Sequence, residues 1–152
     1  MSIEARIAEL GLTLPEPAKP VASYVSYVRS GDQLTISGQL SNDANGGVKG
    51  TVGVDVTPEQ AADAARLCGL NLIAQIKAAC DGDLDRVVRI VKLGGFVQAG
   101  PDFEAIPAVI NGCSDLMVQV FGDAGKHARS AVGVYKLPLG FAVEIDAIVE
   151  IR

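Results

Sequence analysis

Arg129 and Glu144 are the two residues of this sequence whose types best suit chemistry on a small acid. A guanidinium can grip a carboxylate through two parallel hydrogen bonds, and a carboxylate can hold or activate a water. The same pair also has a plain reading, as ordinary salt-bridge residues at a subunit interface. His127 is the only histidine, and no set of cysteines and carboxylates at metal-site spacing accompanies it. It reads as a loop residue at a cleft rim beside the Arg129 segment, and no metal is expected. Ser37, Asn71 and Asn111 have no partners arranged like a catalytic triad. Cys68, Cys80 and Cys113 are odd in number and form no CxxC pair, so they read as small buried hydrophobes. Asp81-Gly82-Asp83 reads as a turn, since a calcium loop needs further acidic positions and a closing glutamate. Tyr24 and Tyr27 read as core or interface aromatics, with Tyr24 the one candidate to stack over a ligand.

These side chains must be carried by particular elements. Ser2 to Leu10 predicts a short helix with Ile3, Ile7 and Leu10 on one side, and the proline-rich stretch from Pro15 to Pro20 must then be extended. Ala22 to Arg29 reads as a strand, Ser30-Gly31-Asp32 as a turn, and Gln33 to Leu40 as the hairpin partner. Ser41 to Gly50 is an Asn- and Gly-rich loop. Thr57, Pro58, Glu59 and Gln60 together predict a capped helix start, with the helix running to about Ala79. Arg86 to Gln98 suits a central strand, in which Gly94-Gly95 marks a bulge or a close backbone approach. Asp102 is placed to cap a helix from about Phe103 to Phe121, with Pro107 tolerable only in its first turns. Ala128 to Lys136 and Phe141 to Ile151 then read as two strands of a second hairpin, around Leu137-Pro138-Leu139-Gly140. The order is ββαβαββ.

Along the last strand Phe141, Val143, Ile145, Ala147, Val149 and Ile151 form one apolar row, which leaves Glu144, Asp146 and Glu150 on the other face. On its expected partner, Ser130, Val132 and Val134 form the more apolar row, so Arg129, Ala131, Gly133 and Tyr135 point away from the helices. In that register Arg129 shares a face with Glu144, but lies four residues along, about 13 Å, too far for a direct pair within one chain. A sheet face mixing Gly133, Ala131 and Ile148 with charges suits contact with another subunit, and a pocket for a small acid between subunits is the functional expectation.

The composition is consistent with such a domain and excludes several alternatives. The chain has 152 residues, of which 49% are hydrophobic, 20% charged and only 5% aromatic, with no tryptophan. That is one globular domain with an aliphatic core of closely approaching elements. We divide it into an N-terminal helical arm and proline-rich linker over 1–20 and a single domain over 21–152. No uncharged run exceeds ten residues, well short of the roughly 18 of a membrane span. The N-terminus lacks the pattern of a secretory signal, so the expected location is the cytoplasm. A net charge of −5 with scattered basic residues argues against a nucleic-acid partner bound through phosphates.

The chain resembles the Rid family, the YjgF-type reactive-intermediate deaminases, over roughly residues 20 to 151. The resemblance rests mainly on Ala128-Arg129-Ser130-Ala131-Val132-Gly133-Val134, then Leu137-Pro138, then Val143-Glu144-Ile145-Asp146-Ala147-Ile148, which look like the family's ARSxVxV, LP and VEIEAI segments. Ser37-Gly38-Gln39-Leu40 is similar to its SGQ strand end, Asp102-Phe103 to the DF that opens its second helix, and Tyr24 falls where the family has its pocket tyrosine. The resemblance implies a chorismate-mutase-like α+β protomer, with a mixed sheet carrying two helices on one face. It also implies a homotrimer with ligand sites in the clefts between subunits. Arg129 would hold the carboxylate of an imine or enamine derived from an amino acid. Glu144 would position the water that hydrolyses it to a 2-oxo acid and ammonia, with no metal or organic cofactor. The sequence departs from the family in four places. Ala131 stands where the family has its pocket cysteine, Tyr24 lacks the flanking Gly-Pro and Ser-Gln, the 103–121 segment is longer, and the N-terminal arm is additional. A trimer that binds a small carboxylate without turning it over is the rival expectation, and a ribonuclease or translation inhibitor is the least favoured.

Overall fold

The computed structural model describes residues 1–152. The elements are helix α1 (Ile3–Glu9), strands β1 (Tyr27–Ser30) and β2 (Gln33–Leu40), helix α2 (Pro58–Ala79), strand β3 (Val87–Gln98), helix α3 (Ile106–Phe121), and strands β4 (Ala128–Val134) and β5 (Val143–Ile151). They form an α+β layer pair. One five-stranded mixed sheet of order β1-β2-β5-β3-β4 carries α2 over β2 and β5, and α3 over β3 and β4. No helix is long and apolar enough to cross a membrane.

Local chemistry sets most element boundaries. The Thr57 hydroxyl accepts from the Gln60 N–H while the Gln60 side chain accepts from the Thr57 N–H, the reciprocal box expected at the start of α2. Helix α3 begins three residues later than Asp102 suggested, with Ala105 at its N-cap and no side-chain cap. Pro107 is the reason. A helix begun at Phe103 would put the proline where a backbone N–H must donate to the preceding turn, whereas a start at Ile106 puts it where none is needed. β1 is shorter than the expected 22–29 strand. β2 bulges between Ile36 and Gln39, and residues 25 and 26 are held there by the Ser37 hydroxyl donating to Val25 O and the Ser37 N–H donating to Ser26 O. Tyr24 therefore lies in a loop, not in a strand.

The second hairpin does not form. β4 pairs in parallel with β3, on the edge of the sheet, while β5 lies antiparallel between β2 and β3. The cause is topological: β3, α3 and β4 form a crossover unit, so β4 must run parallel to β3 and take its free side. Residues 135–142 then pass over the end of β3 to reach the far side. Buried Gln98, the last residue of β3, holds that passage by accepting from the Leu137 N–H and donating to Gly50 O.

The faces follow from the pairing. β5 alternates as its sequence predicts, with Val143, Ile145, Ala147, Val149 and Ile151 buried under the helices. On β4 the expectation is reversed: Arg129 pairs with Leu93, Ala131 with Gly95 and Gly133 with Val97, which puts these residues on the helix face and turns Ser130 and Val132 outward. Gly94 and Gly95 mark close approaches, since the bulges of β3 lie nearer its start, between Val87 and Arg89 and between Ile90 and Lys92. Asp146 fills the space a side chain on Gly94 would need, and Ile110 of α3 fills that of Gly95.

Helix α3 touches its surroundings almost backbone to backbone. A Cβ on Gly112 would collide with the carbonyl of Ala62 in α2, and one on Gly69 of α2 would meet Leu116 at 2.8 Å and Cys113 at 3.1 Å. Alanine is the better helix former by about 1 kcal/mol, yet overpacking costs about 1–3 kcal/mol. Gly112→Ala is therefore expected to destabilise the protein by about 1–2 kcal/mol, measured as a lower urea midpoint. A midpoint at or above that of the parent would show that the two helices can separate freely.

Candidate functional site

Arg129 projects from the edge strand toward α3. Its Nη1 donates to Asn111 Oδ1 at 2.7 Å and to Ser114 Oγ at 3.2 Å. No acidic side chain forms a salt bridge with it, and its Nε and Nη2 have no hydrogen-bond partner within the chain. Those two nitrogens form one edge of the planar guanidinium, the geometry that takes both oxygens of a carboxylate. Ser114 Oγ also lies 2.8 Å from His127 Nε2, and His127 Nδ1 lies 2.6 Å from Gly125 O. Asn111 and Ser114 stand one helical turn apart, and His127, just before β4, stands two residues from Arg129. Each spacing is legible along the chain, but only the packing of β4 against α3 brings the four residues together.

Glu144 belongs to the other face of the sheet, contrary to the expected common face with Arg129. It sits between Leu40 on β2 and Phe96 on β3 as cross-strand neighbours. Burial in that partly apolar setting pushes its carboxyl pKa up, and the charge of Asp146 two residues on pushes it further the same way. Asp146 is itself raised by burial, against the opposing pull of the Gly94 N–H and of Lys92. β3 lies between the strands of Arg129 and Glu144, so one chain does not bring the two together.

Tyr24 is 58% exposed and lines a small cavity of about 110 Å³ with Ser26, Ser37, Gly38 and the linker residues Ala18–Pro20. Gly38 connects this cavity to Glu144, because a Cβ on Gly38 would come within 2.6 Å of Glu144 Oε2. Tyr24 and the carboxylate thus border the same glycine. Ser37 and Asn71 are structural ties: Asn71 Nδ2 donates to Leu40 O and Asn42 O, fixing the loop after β2.

The other groups weighed in the sequence have local roles. All three cysteines are buried, and burial raises the thiol pKa of Cys68 and pushes that of Cys113 up to about 12, so neither is a nucleophile at neutral pH. Asp81-Gly82-Asp83 is a turn in which Asp83 caps the 3-10 segment Leu84–Arg86. Glu4, Asp83 and Asp85 bring three carboxylate oxygens within 4.8 Å of one another. Each spends an oxygen on a backbone N–H, of Leu84, Asp85 and Ile3 respectively; the bonds of Glu4 and Asp85 dock α1 on the domain, and that of Asp83 is the local cap.

A family model described as "YjgF/chorismate mutase-like, putative endoribonuclease" matches residues 4–148. Protein TCP17 of Trypanosoma cruzi is 50% identical over 152 residues, covering 99% of this chain and 94% of that protein. A 2-iminobutanoate/2-iminopropanoate deaminase of Dermatophagoides farinae is 28% identical over 141 residues, 93% of this chain and 95% of that one. Among solved structures, the protein Atu1372 of Agrobacterium tumefaciens, described as of unknown function, superposes with a TM-score of 0.92 at 48% identity, covering 99% of this chain and 92% of its own.

The electrostatics of Glu144 yield a test of the site. A carboxyl whose pKa is raised by folding binds its proton more tightly in the folded state than in the unfolded one. Once both are ionised, at neutral pH, the charge opposes folding, and the penalty is relieved as pH falls through the raised value. Glu144→Gln removes the charge and is expected to raise Tm at pH 7 by about 1–3 °C, with the gain shrinking at acid pH. A lower Tm by calorimetry would mean that the ionised carboxylate makes a bond the fold needs.

Proposed function

We propose a function from one premise: the chain belongs to the YjgF/chorismate mutase-like family. Our reading is a homotrimeric hydrolase that converts small reactive 2-imino acids, and their enamine tautomers, into 2-oxo acids and ammonia. The observation that carries it is the open Nε/Nη2 edge of Arg129, held by α3 and paired with no acid of its own chain. Each cleft would join Arg129 of one protomer to Glu144, Gly38 and Tyr24 of the next, which accounts for two half-sites on opposite faces of a single sheet. The deaminase among the relatives supports the reaction class.

The chemistry needs little apparatus. Arg129 fixes the carboxylate next to the electrophilic imine carbon, so the reacting carbon is oriented without a covalent link to the protein. Glu144, with its raised pKa, takes a proton from the water attacking the protonated imine as the C–O bond forms, giving a neutral carbinolamine. It returns that proton to the nitrogen, and as the C–N bond breaks the hydroxyl oxygen becomes the 2-oxo group and its proton leaves with the departing ammonia as ammonium. Substrate and water supply every atom of the products, and Tyr24 covers the ligand's exposed side.

One observation favours a second reading, in which the trimer binds a carboxylate metabolite without turning it over. Ala131, two residues after Arg129 on the same face, offers no acid, base or nucleophile beside the clamp. A ribonuclease role draws support from the descriptions of the family and of some solved relatives and runs against the net charge of −5. The proposed location is the cytoplasm.

The decisive assay generates imines in situ from a panel of amino acids with an amino-acid oxidase and follows their loss in competition with semicarbazide. Accelerated hydrolysis, reduced at least about 100-fold by Arg129→Ala and by Glu144→Gln, is the expected result. Arg129-dependent carboxylate binding without acceleration would select the binding protein instead. The pH profile adds a signed test. Ionised Glu144 is the active form, so the rate rises with pH, and Asp146→Asn, by removing a negative neighbour, moves that rise to lower pH. An unmoved profile would remove Glu144 from the role of base. The assembly expected by light scattering is three times 15.7 kDa, about 47 kDa; a monomer would leave Arg129 and Glu144 on opposite faces of one sheet with no cleft to join them.

A further inference from the structure

We propose that Ser114 and His127 are positioning residues that set the plane of the Arg129 guanidinium, through a one-way chain of hydrogen bonds starting at the Gly125 carbonyl. The proposal rests on the reading of Arg129 as a carboxylate clamp. The direction of the chain follows from what each atom can do. A carbonyl only accepts, so the 2.6 Å contact with Gly125 O requires the proton on His127 Nδ1. In the neutral ring Nε2 is then an acceptor, so at 2.8 Å the Ser114 hydroxyl donates to it. The lone pairs left on Ser114 Oγ receive Arg129 Nη1 at 3.2 Å, while the second Nη1 hydrogen goes to Asn111 Oδ1 at 2.7 Å. Every donor has one acceptor, and Nη1 is fully used.

The start of the chain is fixed. A Cβ on Gly125 would collide with the backbone carbonyl of Met117, so the turn before β4 lies directly on α3. That contact orients the Gly125 carbonyl and with it the imidazole. Ser114 and Asn111 lie on α3 itself, the helix held against α2 at Gly112. The guanidinium is thus referenced to α3 from two sides and presents only its Nε/Nη2 edge. A free arginine would have to give up rotamer freedom to bind; this one has already done so. His127 in this place has no role in proton transfer to substrate, and its loss should affect binding of the acid rather than turnover.

The test is calorimetric titration of the full-length protein with pyruvate, a minimal 2-oxo carboxylate, alongside imine kinetics. Ser114→Ala and His127→Leu are expected to weaken pyruvate binding about 5–10-fold, the scale of one hydrogen bond, and to raise KM by a similar factor with kcat unchanged. His127→Gln, which can still accept from the Ser114 hydroxyl, should restore binding to within about twofold. A merely structural histidine would not distinguish Gln from Leu in this way. His127 lies outside the buried core, so its variants test the proposal even if Ser114→Ala perturbs α3. If Arg129→Ala abolishes binding while Ser114→Ala and His127→Leu bind like the parent, the positioning proposal is overturned and the clamp stands. Equal losses in His127→Gln and His127→Leu overturn it as well. If Arg129→Ala itself binds pyruvate normally, both the clamp and the proposal fail.

Discussion

The placement of helix α3 depends on contacts in which no side chain separates two backbones. Gly112 lies on the Ala62 carbonyl of α2, and Gly125, in the turn that follows α3, lies on the carbonyl of Met117. Ile110 occupies the space above Gly95 of β3. Such contacts leave no slack: a methyl group at Gly112 or Gly125 must displace backbone, and one at Gly95 must displace the Ile110 side chain. Everything at the Arg129 end inherits that rigidity. The crossover through α3 delivers β4 to the outer edge of the sheet, and the face of β4 that carries Arg129 then meets the polar side of the same helix.

The opposite side of the sheet obeys a different rule. Two helices cover one face, and the other, bearing Leu40, Phe96, Ile148 and Val132 among Glu144, Asp146 and Lys92, has no covering element within the chain. Here the charges sit beside apolar neighbours, and the carboxyls of Glu144 and Asp146 are both pushed toward their protonated forms by burial. A sequence selected for stability alone would place a neutral residue in such a setting, so retention of two adjacent acids at a cost to folding points to a use for the charge.

Local features were legible in the sequence and nonlocal ones were not. The Thr57 capping box and the alternation of Val143 to Ile151 involve neighbours along the chain, and both are present as expected. The partner of β4 was misassigned because Leu137-Pro138-Leu139-Gly140 looks like a hairpin turn, while its actual path over β3 depends on Gln98, some forty residues earlier. That error reversed the face of Arg129. The helix start at Asp102 failed because the proline constraint at Pro107 outweighs a good capping residue. The expected register already separated Arg129 and Glu144 along one face, and resemblance to the Rid family implied sites between subunits; that the two residues lie on opposite faces required the true pairing of β4. The Ser114–His127 contact crosses from α3 to the residue just before β4 and becomes visible only when β4 is laid against α3.

The opposed faces of Arg129 and Glu144 have a genetic consequence. If, as proposed, the residues of one site are drawn from two polypeptides, a lesion at Arg129 and a lesion at Glu144 would damage different sides of the cleft. Two alleles, each inactive alone, would then complement one another in a cell expressing both, because mixed assemblies contain some clefts in which an intact arginine faces an intact glutamate. A site contained within a single chain shows no such rescue. By the same logic, an allele with both lesions on one chain would leave an intact partner chain able to build whole clefts only with other intact copies, so the arrangement of two lesions, and not only their number, would decide the phenotype.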